Sequence, residues 1–360
     1  MNKKFCVFCG KKPSKKNKEH IIPRWLIELT GDLNREILVG RDWNNGTLEE
    51  RIFRFSSYTL PSCKKCNDDF GVLERETKPI LIDIMNEKVV SSEAANKLLD
   101  WFDKVRVGLW LSAIVLNKNH NGIIPHYYIQ DRVGVADRAL LVYKTEEEQE
   151  GISFIGTDGP IFHSMPSVFG IKINKYYFVN ISTPLLLHED LGILSKETHE
   201  VDSDNEMNIY SFSSGKNRLQ IPDFLKNFPN KSMGFVQAVK VANQTENEIS
   251  LYKSTYASEL FCGEKSKILV VKNGQITELS DHDNFELESI KSLLMFSLTL
   301  GTKVMNYQEA LFEASTKYDQ ITGSDQSAVE ETIASVLKVH KAMKSLYSKQ
   351  LEQTYKNVLL

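Results

Sequence analysis

Two Cys-x-x-Cys pairs, Cys6-Val7-Phe8-Cys9 and Cys63-Lys64-Lys65-Cys66, carry the clearest chemical signal in this 360-residue chain. A C-x-x-C turn sets two sulfurs on one side of a tight knuckle. Two knuckles complete a tetrahedral thiolate cage, the geometry Zn2+ prefers. A structural zinc on Cys6, Cys9, Cys63 and Cys66 is the expectation, set against a redox pair or coincidence. The fifth cysteine, in Leu260-Phe261-Cys262-Gly263, reads as a core thiol.

The knuckles are 53 residues apart, too far for a simple zinc ribbon, and the insert contains Lys18-Glu19-His20-Ile21-Ile22-Pro23-Arg24-Trp25. An acidic residue beside a histidine, followed by apolar residues and proline, reads as a strand end turning into a loop. Neighbours on an extended segment point to opposite faces, so Glu19 and His20 would need a distorted turn to serve one site. The plain alternative is two surface polar residues.

The elements around these residues read in order. Arg24–Thr30 is helical, Glu36–Val39 is extended, and Asn45-Gly46 signals a hairpin leading into Glu50–Tyr58. After the second knuckle, Cys66 to Glu76 is helical and Pro79 is expected to stop it. Asn67 and Glu74 are seven apart, within about 20° of one another around that helix. Both could reach an ion lying opposite Glu19 and His20.

Knuckle, strand with Glu-His, hairpin, knuckle, helix with Asn and Glu: in this order the chain resembles the HNH endonucleases, the ββα-metal nucleases, in their zinc-stapled form. The residues that carry the likeness are the two C-x-x-C pairs, E-H-I-I-P, and C-x-x-C-N with a following F-G-x-x-E, all within about residues 1–80. The resemblance implies that His20 is the general base, that Glu19 is a metal ligand (usually Asp in the family), and that Asn67 is the second ligand. Glu74 matches the acidic helix residue of one subgroup. It further implies a catalytic Mg2+ or Mn2+ on Glu19, Asn67 and Glu74, and DNA as substrate, with RNA left open. The chain departs from the pattern at Tyr58, where the family often has an Asn that fixes the histidine ring. Ser57, Thr59, a backbone carbonyl, Asn44 or Asn45 would then orient His20, or the site is degraded. The competing reading is a zinc-stapled nucleic-acid-binding or interaction module without catalysis.

Charge is uneven in a way that suits this reading. The chain carries a formal net charge of -3, yet residues 1–30 hold eight Lys or Arg against two Glu. Lys15, Lys16, Lys18, Arg24, Lys64 and Lys65 are the candidate backbone-tracking cations. The longest nearly apolar run, Val107 to Leu116, is half the roughly 20 residues that a membrane-spanning helix needs. With no apolar leader before Cys6, the expected location is the cytoplasm.

The expected fold class is α+β: a zinc-stapled ββα-metal module over 1–80, a mixed regulatory, sensor or targeting region over 81–283, and a helical region over 284–360. Ser92–Asn117 reads as a helix with Trp101 and Trp110 in the core. Tyr127–Ile129, Ala139–Tyr143, Ile152–Ile155, Val168–Ile173, Tyr176–Asn180, Glu248–Tyr252 and a Lys267–Leu279 hairpin read as strands. Val329, Ile333, Val336, His340, Met343 and Tyr347 form a heptad seam, expected to pack on the chain itself, with a homo-oligomer or protein partner as the alternative. His120, His126, His163, His188, His199 and His282 show no ligand spacing. A nuclease module on a large second region is the plan of bacterial anti-phage effectors, an analogy rather than chemistry.

Overall fold

The computed structural model describes residues 5–13, 17–44, 47–116, 127–146, 148, 150–183, 194–200, 208–214, 221–226, 228, 231–238, 249–251, 268–272, 275–280, 286–291, 293–318 and 326–359. Lys15, Lys16, Asn45, His120, His126, His188, Cys262 and His282 lie outside them.

Strand β1 (Asn17–His20) is followed by α1 (Arg24–Leu29), the hairpin β2 (Glu36–Asn44) and β3 (Thr47–Arg54), then β4 (Thr59–Ser62). β1 and β4 pair antiparallel, with Glu19 opposite Leu60 and His20 opposite Thr59. Helix α2 (Lys64–Met85) then runs straight past Pro79. That differs from the expected stop. Proline inside a helix costs about 3 kcal/mol, but Pro79 sits on the exposed face, and continuing the helix buries Leu81 and Ile84 completely.

Helix α3 (Ser92–Leu116) is buried on every side from Trp101 to Ser112. Trp101 and Trp110 are core residues, the latter donating its indole N–H to the His163 carbonyl at 2.6 Å. Unlike its apolar neighbours, α3 also buries Asp103, Lys104 and Arg106. Such charges persist only when paired.

The strands that follow are β5 (Asp137–Thr145) and β6 (Ile152–Ile155), then the one-turn α4 (Pro160–Ser164), β7 (Val168–Ile173) and β8 (Tyr176–Thr183). After β9 (Leu194–Glu200), β10 (Asn208–Ser214) and α5 (Asp223–Lys226) come β11 (Met233–Gln237), β12 (Ile249–Leu251), β13 (Leu269–Lys272), β14 (Gln275–Glu278) and β15 (Ser289–Ile290). The chain ends in α6 (Leu293–Tyr318) and α7 (Gln326–Leu359). The main sheet has the order β14-β13-β11-β5-β8-β7-β6, with β15 running parallel to β5; β9, β10 and β12 form a separate sheet.

Alternation along β5 and β8 explains the layering. Leu140, Val142 and Phe178 face the side shared with α3 and the cysteine region. Leu141, Tyr143, Tyr177 and Val179 face Phe296, Leu300 and Val304 of α6. The sheet is thus covered on both faces, and one apolar core runs without a break from Cys6 and Phe8 through α3 to the sheet. Tyr127–Ile129 is not a strand. Residues Ile129–Asp131 form a 3-10 turn whose backbone N–H groups from Ile129 and Gln130 donate to the carbonyls of Val7 and Phe8. The helical C-terminal region begins at Leu293. Its heptad seam faces inward: His340 is fully buried against the Met305 carbonyl of α6, and Tyr347 lies beside Gly301. Among the described residues no helix is long and apolar enough to cross a membrane.

Candidate metal centre and the residues beside it

The sulfurs of Cys6, Cys9, Cys63 and Cys66 all lie within 4.8 Å of one another. Zn–S bonds of about 2.3 Å in a tetrahedron hold sulfurs a little under 4 Å apart, so the cage fits that ion with small adjustment. Among the described residues it is the one such cluster of three or more Cys, His, Asp or Glu.

Local structure builds both knuckles. Gly10 closes the first with φ +69, and a Cβ there would stand 2.3 Å from the Tyr128 ring, so glycine is required twice over. The Val7 N–H donates to the Pro61 carbonyl at 2.9 Å, tying the first knuckle to β4. Cys63 caps α2, accepting the Cys66 N–H at 3.5 Å. Backbone donation from Cys66 holds the Cys63 thiol below its ordinary pKa, while burial pushes Cys6 and Cys66 above theirs. Turning all four into thiolates in this setting calls for a dication, and the donor set suits zinc.

His20 is half-buried, and its Nε2–H donates to the Ser56 carbonyl at 3.1 Å. The ring is therefore oriented by a backbone carbonyl just before Tyr58. In the neutral tautomer this leaves Nδ1 with its lone pair. Tyr58 is engaged elsewhere, its buried hydroxyl bonded to Ser112 of α3, and burial pushes its pKa up.

Glu19 and Glu74 converge, but on a residue that sequence reasoning did not single out. The Lys104 ammonium of α3, 1% exposed, donates to Glu19 Oε1 at 2.7 Å and also to Glu74 Oε1. It stands 5.9 Å above the Phe8 ring as well. Desolvation, the largest effect on Lys104, is outweighed by Glu74 and Glu19, so its pKa lies above the ordinary value. Burial raises the Glu74 carboxyl in spite of Lys104, and Glu74 also feels the charges of Glu19 and His20. These four residues share one electrostatic environment. Asn67 turns elsewhere, accepting a 3.3 Å hydrogen bond from Ser62 at the end of β4. The three residues that the resemblance offers to Mg2+ or Mn2+ are thus each engaged with a protein partner, Glu19 and Glu74 with Lys104 and Asn67 with Ser62.

Four of the candidate backbone-tracking cations, Lys18, Arg24, Lys64 and Lys65, are among the described residues and exposed, and three of them are paired on their own helices. Arg24 pairs with Glu28 at 2.8 Å, Lys65 with Asp69 at 2.9 Å, and Lys64 with Asp68. Lys18 is exposed on β1. The signal that could have revealed Lys104 was present in the sequence: Asp103-Lys104-x-Arg106 falls between the apolar stretches Trp101-Phe102 and Val107–Leu111, and buried charges demand partners.

Comparison with protein-family models, with curated proteins and with solved structures gives no match for this chain.

Proposed function

We propose that the N-terminal region is a phosphodiester hydrolase of the HNH type acting on DNA, with His20 as general base. In this reading the remainder of the chain controls it as the effector of a cytoplasmic, defence-type bacterial system. The observation that carries the reading is the state of His20: a half-buried imidazole whose Nε2–H is fixed on the Ser56 carbonyl, with Nδ1 left to accept a proton. The thiolate cage supports it by anchoring β4 and α2, which frame the strand that carries His20.

The chemistry assigned to this chain is one proton transfer. His20 Nδ1 takes a proton from water as the water oxygen bonds to phosphorus, and the bond from phosphorus to the 3′ oxygen breaks, the departing oxygen taking a proton from solvent to leave as a hydroxyl. Lys18 would bear on the DNA backbone without reading bases.

A binding module without catalysis is the second reading, and one observation favours it: Lys104 holds both carboxylates that the resemblance implies for a catalytic ion. Nicking of supercoiled plasmid with Mg2+ or Mn2+ added separates the two. Cleavage by wild type that is lost in His20→Ala supports the hydrolase. Equal cleavage by both proteins removes His20 as base, and cleavage by neither favours the binding module.

A further inference from the structure

We propose that Lys104 is the resident cation of the Glu19–Glu74 pair and competes directly with a divalent metal ion for those carboxylates. The inference rests on the hydrolase reading only for its biological meaning; its physical content stands on the geometry.

Oε1 of Glu19 and Oε1 of Glu74 come from different elements, β1 and α2, and both lie within hydrogen-bond reach of one Nζ. Two carboxylate oxygens aimed at one point are also what a small hard cation requires, usually with water completing its shell. The point is enclosed: Lys104 is 1% exposed, and the side chains of Glu19 and Glu74 are 10% and 17% exposed. An ammonium and a metal ion cannot both occupy it.

Charge then sets the direction of the competition. Two carboxylates with one ammonium leave a negative remainder in a desolvated place, which a dication in the ammonium's position would cancel. Lys104 holds the pair in a state that excludes the metal, and withdrawing its side chain opens a site for one. The lysine belongs to α3, whose Asp103 and Arg106 are bound on the sheet side to Arg138 and Asn180. The exclusion is thus exerted from the part of the chain proposed to regulate the module.

The test is Mn2+ binding to the zinc-loaded full-length chain, read by electron paramagnetic resonance of free Mn2+. The variants are Lys104→Met, Lys104→Arg and the double variant Lys104→Met/Glu19→Gln, with circular dichroism confirming the fold. Lys104→Met is expected to bind one Mn2+ at least tenfold more tightly than wild type. Lys104→Arg should exclude it as wild type does, and the double variant should lose the gain. If Lys104→Met fails to fold, Lys104→Gln, which keeps N–H donors toward the carboxylates, carries the same comparison. Tight Mn2+ binding by wild type that Glu19→Gln abolishes would overturn the inference, as would no gain in the folded Lys104 variants. Failure of both wild type and the ion-loaded variant to nick plasmid removes the hydrolase reading and leaves this inference standing.

Discussion

Consecutive residues of α3 feed two buried charge clusters that are solved differently. On the sheet side Asp103 accepts from Arg106 at 2.9 Å, from Arg138 at 3.1 Å and from the Gly134 N–H at 3.1 Å. Arg138 also bonds Asp100, Gln237 and Asn96, so two carboxylates meet two guanidiniums with neutral groups filling the remaining directions. On the module side one ammonium faces two carboxylates, and burial leaves Glu74 with a raised pKa. The first cluster is balanced in charge, two carboxylates to two guanidiniums, and has the form of a structural joint, with Arg106 Nε and Asn180 Nδ2 as its unpartnered atoms among the described residues. The second has two carboxylates to one ammonium and lies within electrostatic reach of His20.

The largest test of this contrast lies beside it. Removing the metal-binding capacity with Cys63→Ser should cost more than about 5 kcal/mol, because metal binding in such cages is folding free energy. Zinc content by elemental analysis and unfolding in urea check it, and the loss should fall on the module first.

Next come the two clusters themselves. Arg138→Met takes the guanidinium from Asp100 and one of the two from Asp103 and should destabilise by about 3–5 kcal/mol. Lys104→Met should also destabilise, but millimolar Mn2+ should recover stability in Lys104→Met and not in Arg138→Met. Equal response to Mn2+ in both would erase the distinction. His20→Ala should lower plasmid nicking by about 10²-fold or more while leaving the thermal midpoint close to wild type.

Smaller effects sharpen the comparison. Tyr58→Phe removes one hydrogen bond to Ser112, whose hydroxyl still donates to the Leu109 carbonyl, so it should cost about 1 kcal/mol. Nicking should stay within twofold, since His20 is oriented by Ser56 rather than by Tyr58. The smallest concerns His340, fully buried between α7 and α6, facing the Met305 carbonyl, Glu309 and Lys344, with its pKa lowered by desolvation. A lowered histidine favours the neutral form in the fold. Its contribution is therefore complete above the unfolded value near 6.5 and is lost as pH falls below it, by at most about 1.4 kcal/mol per pH unit. Urea midpoints between pH 7 and 5 should fall further for wild type than for His340→Gln.

What could be read from the sequence was what local spacing dictates. The four cysteines came together because knuckle spacing is itself a geometric statement, and β1, β5, β7 and β8 follow from short alternating or apolar runs. The inward seam of α7 followed from its period. Misreadings arose where distant partners decide. Pro79 did not end α2, because residues beyond it are buried by α3 and the core. Tyr127–Ile129 looked like a strand from its aromatic and β-branched residues, but the Ile129 and Gln130 N–H groups are claimed by the first knuckle. The site was half legible: Glu19, His20 and Glu74 share an environment, Asn67 faces Ser62, and Lys104 lies 85 residues beyond Glu19 in sequence.

The burial of α3 against both the cysteine-bearing region and the sheet bears on transplantation. A fragment cut after α2 would expose Ile21, Leu26 and Leu81 to water and leave Glu19 and Glu74 repelling one another across an open face. Anyone grafting this catalytic candidate onto a foreign host protein would have to move α3 with it, lysine included.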